Sequence, residues 1–137
     1  MDVLISIKPC YVEKICAGIK CYEYRKRIFS KDVERIYVYA SSPIQKIVGF
    51  FEYSGAVSGT PDYVWSNTHN YSGVNIESYK NYYYGRDVAY ALIVKHFYIF
   101  SDGINPWEIF DKFFPPQSFM YIRKGHSYEK LRNMVFE

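Results

Sequence analysis

The chemistry in this sequence is concentrated in one stretch, Gly18-Ile19-Lys20-Cys21-Tyr22-Glu23-Tyr24-Arg25. Residues 21–27 alternate, so an extended chain sends Tyr22, Tyr24 and Lys26 to one face and Cys21, Glu23, Arg25 and Arg27 to the other. Arg25 or Arg27 can grip a phosphate with two parallel hydrogen bonds, whereas Lys20 is a compact point charge. Glu23 can hold the Arg25 guanidinium, or accept a hydrogen bond from the exocyclic amine of a base, as carboxylates do with cytosine. On an open surface the same residues would make only an intrastrand ion pair, worth about 0.2–1 kcal/mol. A catalytic use is also open to them. Lys20, partly desolvated beside Arg25, can serve as a general base with a lowered pKa, and Glu23 can handle a second proton.

Further candidates lie elsewhere in the chain. Lys8, just before Pro9, is a second cation. Ser41 and Ser42, before Pro43, offer hydroxyls and backbone amides, though a serine pair before proline also simply makes a turn. Gln117 and Ser118 sit behind Pro115-Pro116 on a stiff loop and can read a base edge or satisfy strand-end backbone groups. As an enzyme, the chain would draw a hydroxyl or an oxyanion donor from Ser41, Ser42 or Ser118. Tyr121 can stack a base or fill a half-buried strand position. His69, His96 and His126 are scattered, and Cys10, Cys16 and Cys21 show no CxxC spacing. No metal and no cofactor is expected from them, and the cysteines read as reduced thiols.

Something must position these groups. At 137 residues, 49% hydrophobic and 23% charged, the chain suits a single domain, residues 1–137, with a real core. No apolar run reaches the length of a bilayer span, and the N-terminus lacks a basic leader, so the expected compartment is cytoplasmic, with no membrane partner. Net charge is only +3, but its distribution is uneven. Residues 20–35 carry Lys20, Arg25, Lys26, Arg27, Lys31 and Arg35, whereas residues 50–79 hold no Lys or Arg. A local basic patch on a near-neutral body suits a phosphate-bearing ligand. The aromatic share is 20%, with 16 tyrosines, which fits strands as well as a base-stacking surface.

Strand signals fall at Val3–Ile7, Cys21–Arg27, Arg35–Ala40, Lys46–Val57, Asp87–Phe100 and Phe119–Ile122, with Gly49 and Gly55 as bend positions in the fourth. Helices are predicted after Pro9, after the Thr60-Pro61 pair, from the Asn75 cap to Tyr83, at Asn105-Pro106, and after Ser127. Trp65 and Trp107 fall on helical patterns and are expected in the core. Strands with few long crossovers point to an α+β fold, a small, mostly antiparallel β-barrel with inserted and flanking short helices.

Ser6-Ile7-Lys8-Pro9, followed by Gly18 to Arg25, resembles the GxKxxExR signature of ASCH domains, in the PUA-like superfamily. Tyr39-Ala40-Ser41-Ser42-Pro43, Gly49, Trp65, Gly85-Arg86 and Pro115-Pro116-Gln117-Ser118-Phe119 resemble blocks of its stand-alone members, in the right order over nearly the whole chain. The resemblance implies a PUA-like barrel with a cleft beside the signature strand, binding RNA or a nucleotide, sometimes as a transcription or translation cofactor. Some relatives are similar to small hydrolases, either ribonucleases or an amidohydrolase acting on N4-acetylcytidine. In the amidohydrolase type a threonine occupies the position of Glu23, so this chain lacks that hydroxyl while keeping Lys20 and Arg25. Two further readings stay open: a hydrolase, and a protein-interaction domain that uses its tyrosines as a contact patch. Oligomeric state is not legible in the sequence.

Overall fold

The computed structural model describes residues 1–137. The chain runs β1 (Asp2–Ile7), α1 (Pro9–Cys16), β2 (Tyr22–Arg25), β3 (Arg35–Ala40), β4 (Lys46–Glu52) and β5 (Ala56–Gly59). It continues through α2 (Pro61–Thr68), a 3-10 turn at His69–Tyr71, α3 (Ile76–Tyr82), β6 (Ala89–Ile93), β7 (Phe97–Ile104), α4 (Pro106–Ile109), β8 (Met120–Ile122) and α5 (His126–Arg132). The strands divide between two sheets, β7-β4-β3-β1-β8 and β2-β6-β5, without closing a continuous hydrogen-bonded barrel. All pairings are antiparallel except β1 with β3. The α+β class with a mainly antiparallel body holds.

Alternation explains the layers. In β1, Val3, Ile5 and Ile7 face one core cluster, joined by Ile15 of α1 and Leu92 of β6. Leu4 faces a second, with Tyr37, Tyr39, Ile47, Phe50 and Leu131. Val3, Leu4 and Ile5 are therefore all fully buried, as a strand covered on both faces requires. The smaller sheet lies over the first cluster and buries Tyr24, Ala89 and Ala91 beneath α2 and α3, where Tyr24, Tyr79 and Tyr83 meet edge to face.

Several boundaries differ from the sequence reading. Lys46–Val57 breaks at Tyr53–Gly55, where Gly55 takes φ +112°, and the chain passes from the large sheet to the small one. Asp87–Phe100 breaks likewise after Ile93 and changes sheet in the opposite sense. β2 ends at Arg25, which leaves Arg27 past the strand and exposed. The last helix starts two residues early, with Gly125 rather than Ser127 at its cap position. Trp107 is 46% exposed, not core, while Trp65 is half-buried. Gly49 has a steric reason: a Cβ there would fall on the Tyr98 carbonyl oxygen of β7. The Thr60 and Asn75 caps form as read, their side chains accepting from Tyr63 N and Ser78 N.

Candidate functional site

Lys20 reaches its place through a glycine turn. At the end of α1, Gly18 takes φ +75°, and the amides of Ile19 and Lys20 both donate to the Lys14 carbonyl oxygen. This folds the chain back so that β2 starts just after Lys20. The Lys20 side chain is 1% exposed. Its Nζ donates to the Ser72 carbonyl oxygen at 2.9 Å and stands 3.5 Å from Glu23 Oε1. The ammonium lies 5.3 Å from the centroids of both the Tyr11 and the Tyr24 rings. Burial pushes its pKa below the usual lysine value, and the Glu23 carboxylate works against that shift.

Glu23 bridges two cations. Its Oε2 accepts from Arg25 Nη2 at 2.8 Å, while Oε1 faces Lys20. The same Arg25 Nη2 donates to the Ser6 carbonyl oxygen at 2.6 Å, and Nη1 donates to that of Ser118 at 3.1 Å. Arg25 thus ties β2 to the end of β1 and to the diproline loop. Its Nε is buried with no hydrogen-bond partner. The two parallel bonds to phosphate expected from Arg25 would need a free fork, and both protons of Nη2 are already committed.

These groups form the floor of a cleft of about 610 Å³. One wall is the end of β1 and the start of α1, with Ser6, Lys8 and Tyr11. Another wall is α3, which presents Ser78, Asn81 and Tyr82, and Gln117 lines the cleft from the loop. Lys8 is exposed at the mouth, and Tyr82 is 39% exposed. Ser6 Oγ donates to the Pro116 carbonyl oxygen at 2.8 Å and fixes the loop to β1.

Of the residues singled out in the sequence, Lys8, Lys20, Glu23, Arg25 and Gln117 line this cleft. Ser118 touches it only through the carbonyl oxygen that receives Arg25. Arg27, Ser41, Ser42 and Tyr121 do not line it. Ser41 follows β3 and donates its amide to the Ile7 carbonyl oxygen, and the Tyr121 hydroxyl accepts from the Ser30 amide. The sequence reading missed the α3 wall. Ser78, Asn81 and Tyr82 share one helix face by their spacing, but only packing says which way that face looks. It also missed Lys14 and Ser72–Gly73: Lys14 Nζ donates to the Gly73 carbonyl oxygen at 2.8 Å, next to the Ser72 carbonyl that holds Lys20.

Chemically, the floor is a carboxylate between two cations, and two tyrosines, Tyr11 and Tyr82, line the cleft with it. That arrangement suits a flat polar ring with acceptors and an amine, and it keeps a lysine whose proton is loosely held. No protein-family model matches the chain. It is 29% identical over 126 residues to an ASCH domain-containing ribonuclease of Zymomonas mobilis subsp. mobilis, covering 90% of this chain and 85% of that one. It is 30% identical over 93 residues to large ribosomal subunit protein uL22 of Ureaplasma parvum, but spans only 29% of that protein. The crystal structure of ASCH from Zymomonas mobilis superposes with a TM-score of 0.87 at 26% identity, over 98% of this chain and 96% of that one.

Proposed function

This chain is an ASCH-domain protein with a PUA-like fold, and from that premise we propose that its cleft binds RNA or a nucleotide by taking in one base. The observation that carries the reading is the Lys20–Glu23–Arg25 floor beside the Tyr11 and Tyr82 walls. Glu23 keeps lone pairs free for an exocyclic amine, and Arg25 Nε has a proton to give to a neighbouring ring acceptor. Cytosine and adenine present an amine beside such an acceptor, and uracil does not. Lys8 at the mouth meets the phosphate, and Tyr82 offers a ring to stack on. The name of the Zymomonas relative supports RNA as the ligand class.

Titration with CMP, AMP and UMP tests this. CMP or AMP should bind more tightly than UMP by roughly 5-fold or more, the weaker end of a two-bond base contact. Equal affinities, or no binding by any of them, would overturn it.

A second reading, RNA hydrolysis, is favoured by the lowered pKa of Lys20 and by the ribonuclease name of the relative. Purified protein would then cleave a mixed RNA pool, and the Lys20→Met variant would not. The amidohydrolase reading lacks its threonine, since Glu23 stands at that position. N4-acetylcytidine left intact beside cleaved RNA would separate the two.

A further inference from the structure

Resting on the reading that the cleft takes one base, we propose that the RNA continues from it as a single strand along a seam formed by residues 26–31 and 117–124. Two contacts lay these segments side by side, and a third, from Arg25 just before them, ties their start to the cleft floor. Arg25 donates to the Ser118 carbonyl oxygen, the Phe29 and Phe119 rings meet at 4.9 Å, and the Ser30 amide donates to the Tyr121 hydroxyl at 3.0 Å. The seam therefore runs from the cleft floor to β8, and Gln117 begins it inside the cleft.

Along this line, rings and cations are interleaved. Lys26 Nζ lies 4.7 Å from the centroid of Tyr82, on the cleft wall, and Lys31 Nζ lies 5.7 Å from that of Tyr121, at the other end. Arg27 stands exposed between them. None of these three cations takes part in an ion pair; the protein's salt bridges involve Lys20, Arg25 and Arg132 instead. Of the acids that follow, Asp32 is exposed, and Glu34 is occupied by Arg132 at 3.0 Å. Unpaired, solvated cations beside ring faces are what a single strand uses, phosphates on the cations and bases on the rings. A duplex hides its base faces and would gain nothing from Tyr121. Arg27 and Tyr121, which the cleft leaves out, thereby acquire a role in the same ligand.

Fluorescence anisotropy with a labelled mononucleotide, a trinucleotide and a nonanucleotide tests the seam. The nonanucleotide should bind about tenfold or more tightly than the mononucleotide, the worth of at least one added stacking contact. In the Arg27→Gln/Lys31→Gln double variant, the slope of log affinity against log salt for the nonanucleotide should fall by about 1.4, roughly 0.7 per lost cation. Lys31→Gln should leave mononucleotide binding unchanged. Tyr121→Ala should weaken nonanucleotide binding by about 5-fold or more, and Tyr121→Phe, which keeps the ring, should restore it. Mononucleotide binding with no gain from length, an unchanged salt slope, or duplex bound as tightly as single strand would each sink the seam and leave the cleft standing. Absence of mononucleotide binding would sink the cleft reading and the seam with it.

Discussion

Glu23 stands between Lys20 and Arg25, 3.5 Å from one and 2.8 Å from the other, with all three side chains nine-tenths or more buried. One carboxylate thus answers two cations, and the floor of the cleft retains a positive charge. Glu23→Gln removes that answer while keeping the shape. Breaking a buried ion pair from one side costs about 3–5 kcal/mol, because the partner is left buried and unpaired. Urea denaturation of the variant should show a loss of that order, and a loss below about 1 kcal/mol would mean that water reaches the floor freely.

Lys20 makes stability depend on alkaline pH with a definite sign. Burial lowers its folded pKa below the ordinary value of 10.5, so between the two values the unfolded chain holds the extra proton. Stability should therefore rise with pH through that window. Tyr79 and Tyr83 act oppositely: burial raises both hydroxyls well above 10.0, so the unfolded chain ionises first and stability falls above about pH 10. Lys20→Met should abolish the rising limb and leave the fall in place. Denaturation curves collected across this range would show it, and an unchanged rising limb in the variant would assign it to another group.

Gly73 sets the position of that lysine. Its φ is +68°, and a Cβ there would lie 3.1 Å from Lys20 Cβ and 3.2 Å from Lys14 Cδ. Gly73→Ala should cost about 1–2 kcal/mol from the backbone conformation alone. Because the Ser72 and Gly73 carbonyls hold the two ammonium groups, it should also move the Lys20 nitrogen resonance in its NMR titration. Destabilisation without any change in that titration would make Gly73 a purely conformational requirement.

Arg132 fastens α5 to the first strand. Its Nε and Nη2 each donate at 2.8 Å to the Asp2 carboxylate, whose side chain is fully buried, while the arginine is 23% exposed. The two ends of the pair are therefore unequal. Arg132→Ala strands a buried carboxylate and should cost about 3 kcal/mol or more, whereas Asp2→Asn keeps acceptor and shape and leaves a cation that can turn to water, costing about 1–2 kcal/mol. Equal losses in thermal denaturation would contradict this asymmetry.

Local signals revealed much of this architecture. Alternation placed β1 and β3, and the Thr60-Pro61, Asn75 and Asn105-Pro106 caps placed three helices. Residues 46–57 and 87–100 read as single strands because both halves are equally β-prone; the passage between sheets is decided by what each half packs against. The site divides in the same way. The charged signature is contiguous, so Lys20, Glu23 and Arg25 stand together in the sequence, and Lys8 and Gln117 belong to the blocks around Pro9 and Pro115-Pro116. Tyr11, Asn81 and Tyr82 belong to the cleft only through long-range packing of α1 and α3. The alternation of residues 21–27 puts Arg27 on the Glu23 face only if the strand continues, and β2 stops short of it.

Arg25 provides the sharpest test of whether the cleft is held open by its own floor. It donates to Ser6, Glu23 and Ser118, which belong to β1, β2 and the diproline loop. Arg25→Lys keeps the charge but not the planar fork, so it can satisfy Glu23 and lose the bridge between the two carbonyls. Two hydrogen bonds from a charged donor are then missing, at roughly 1.5–3 kcal/mol each before relaxation. Arg25→Ala should be worse, since Glu23 would keep only the longer contact with Lys20. Hydrogen exchange locates the effect: amides of residues 116–119 should lose protection in Arg25→Lys, while those of β4 and β7, which make no bond to Arg25 or to its acceptors, should not. Uniform loss across the molecule, or retained protection of the loop, would mean that the diproline segment is positioned by Ser6 and its own prolines instead.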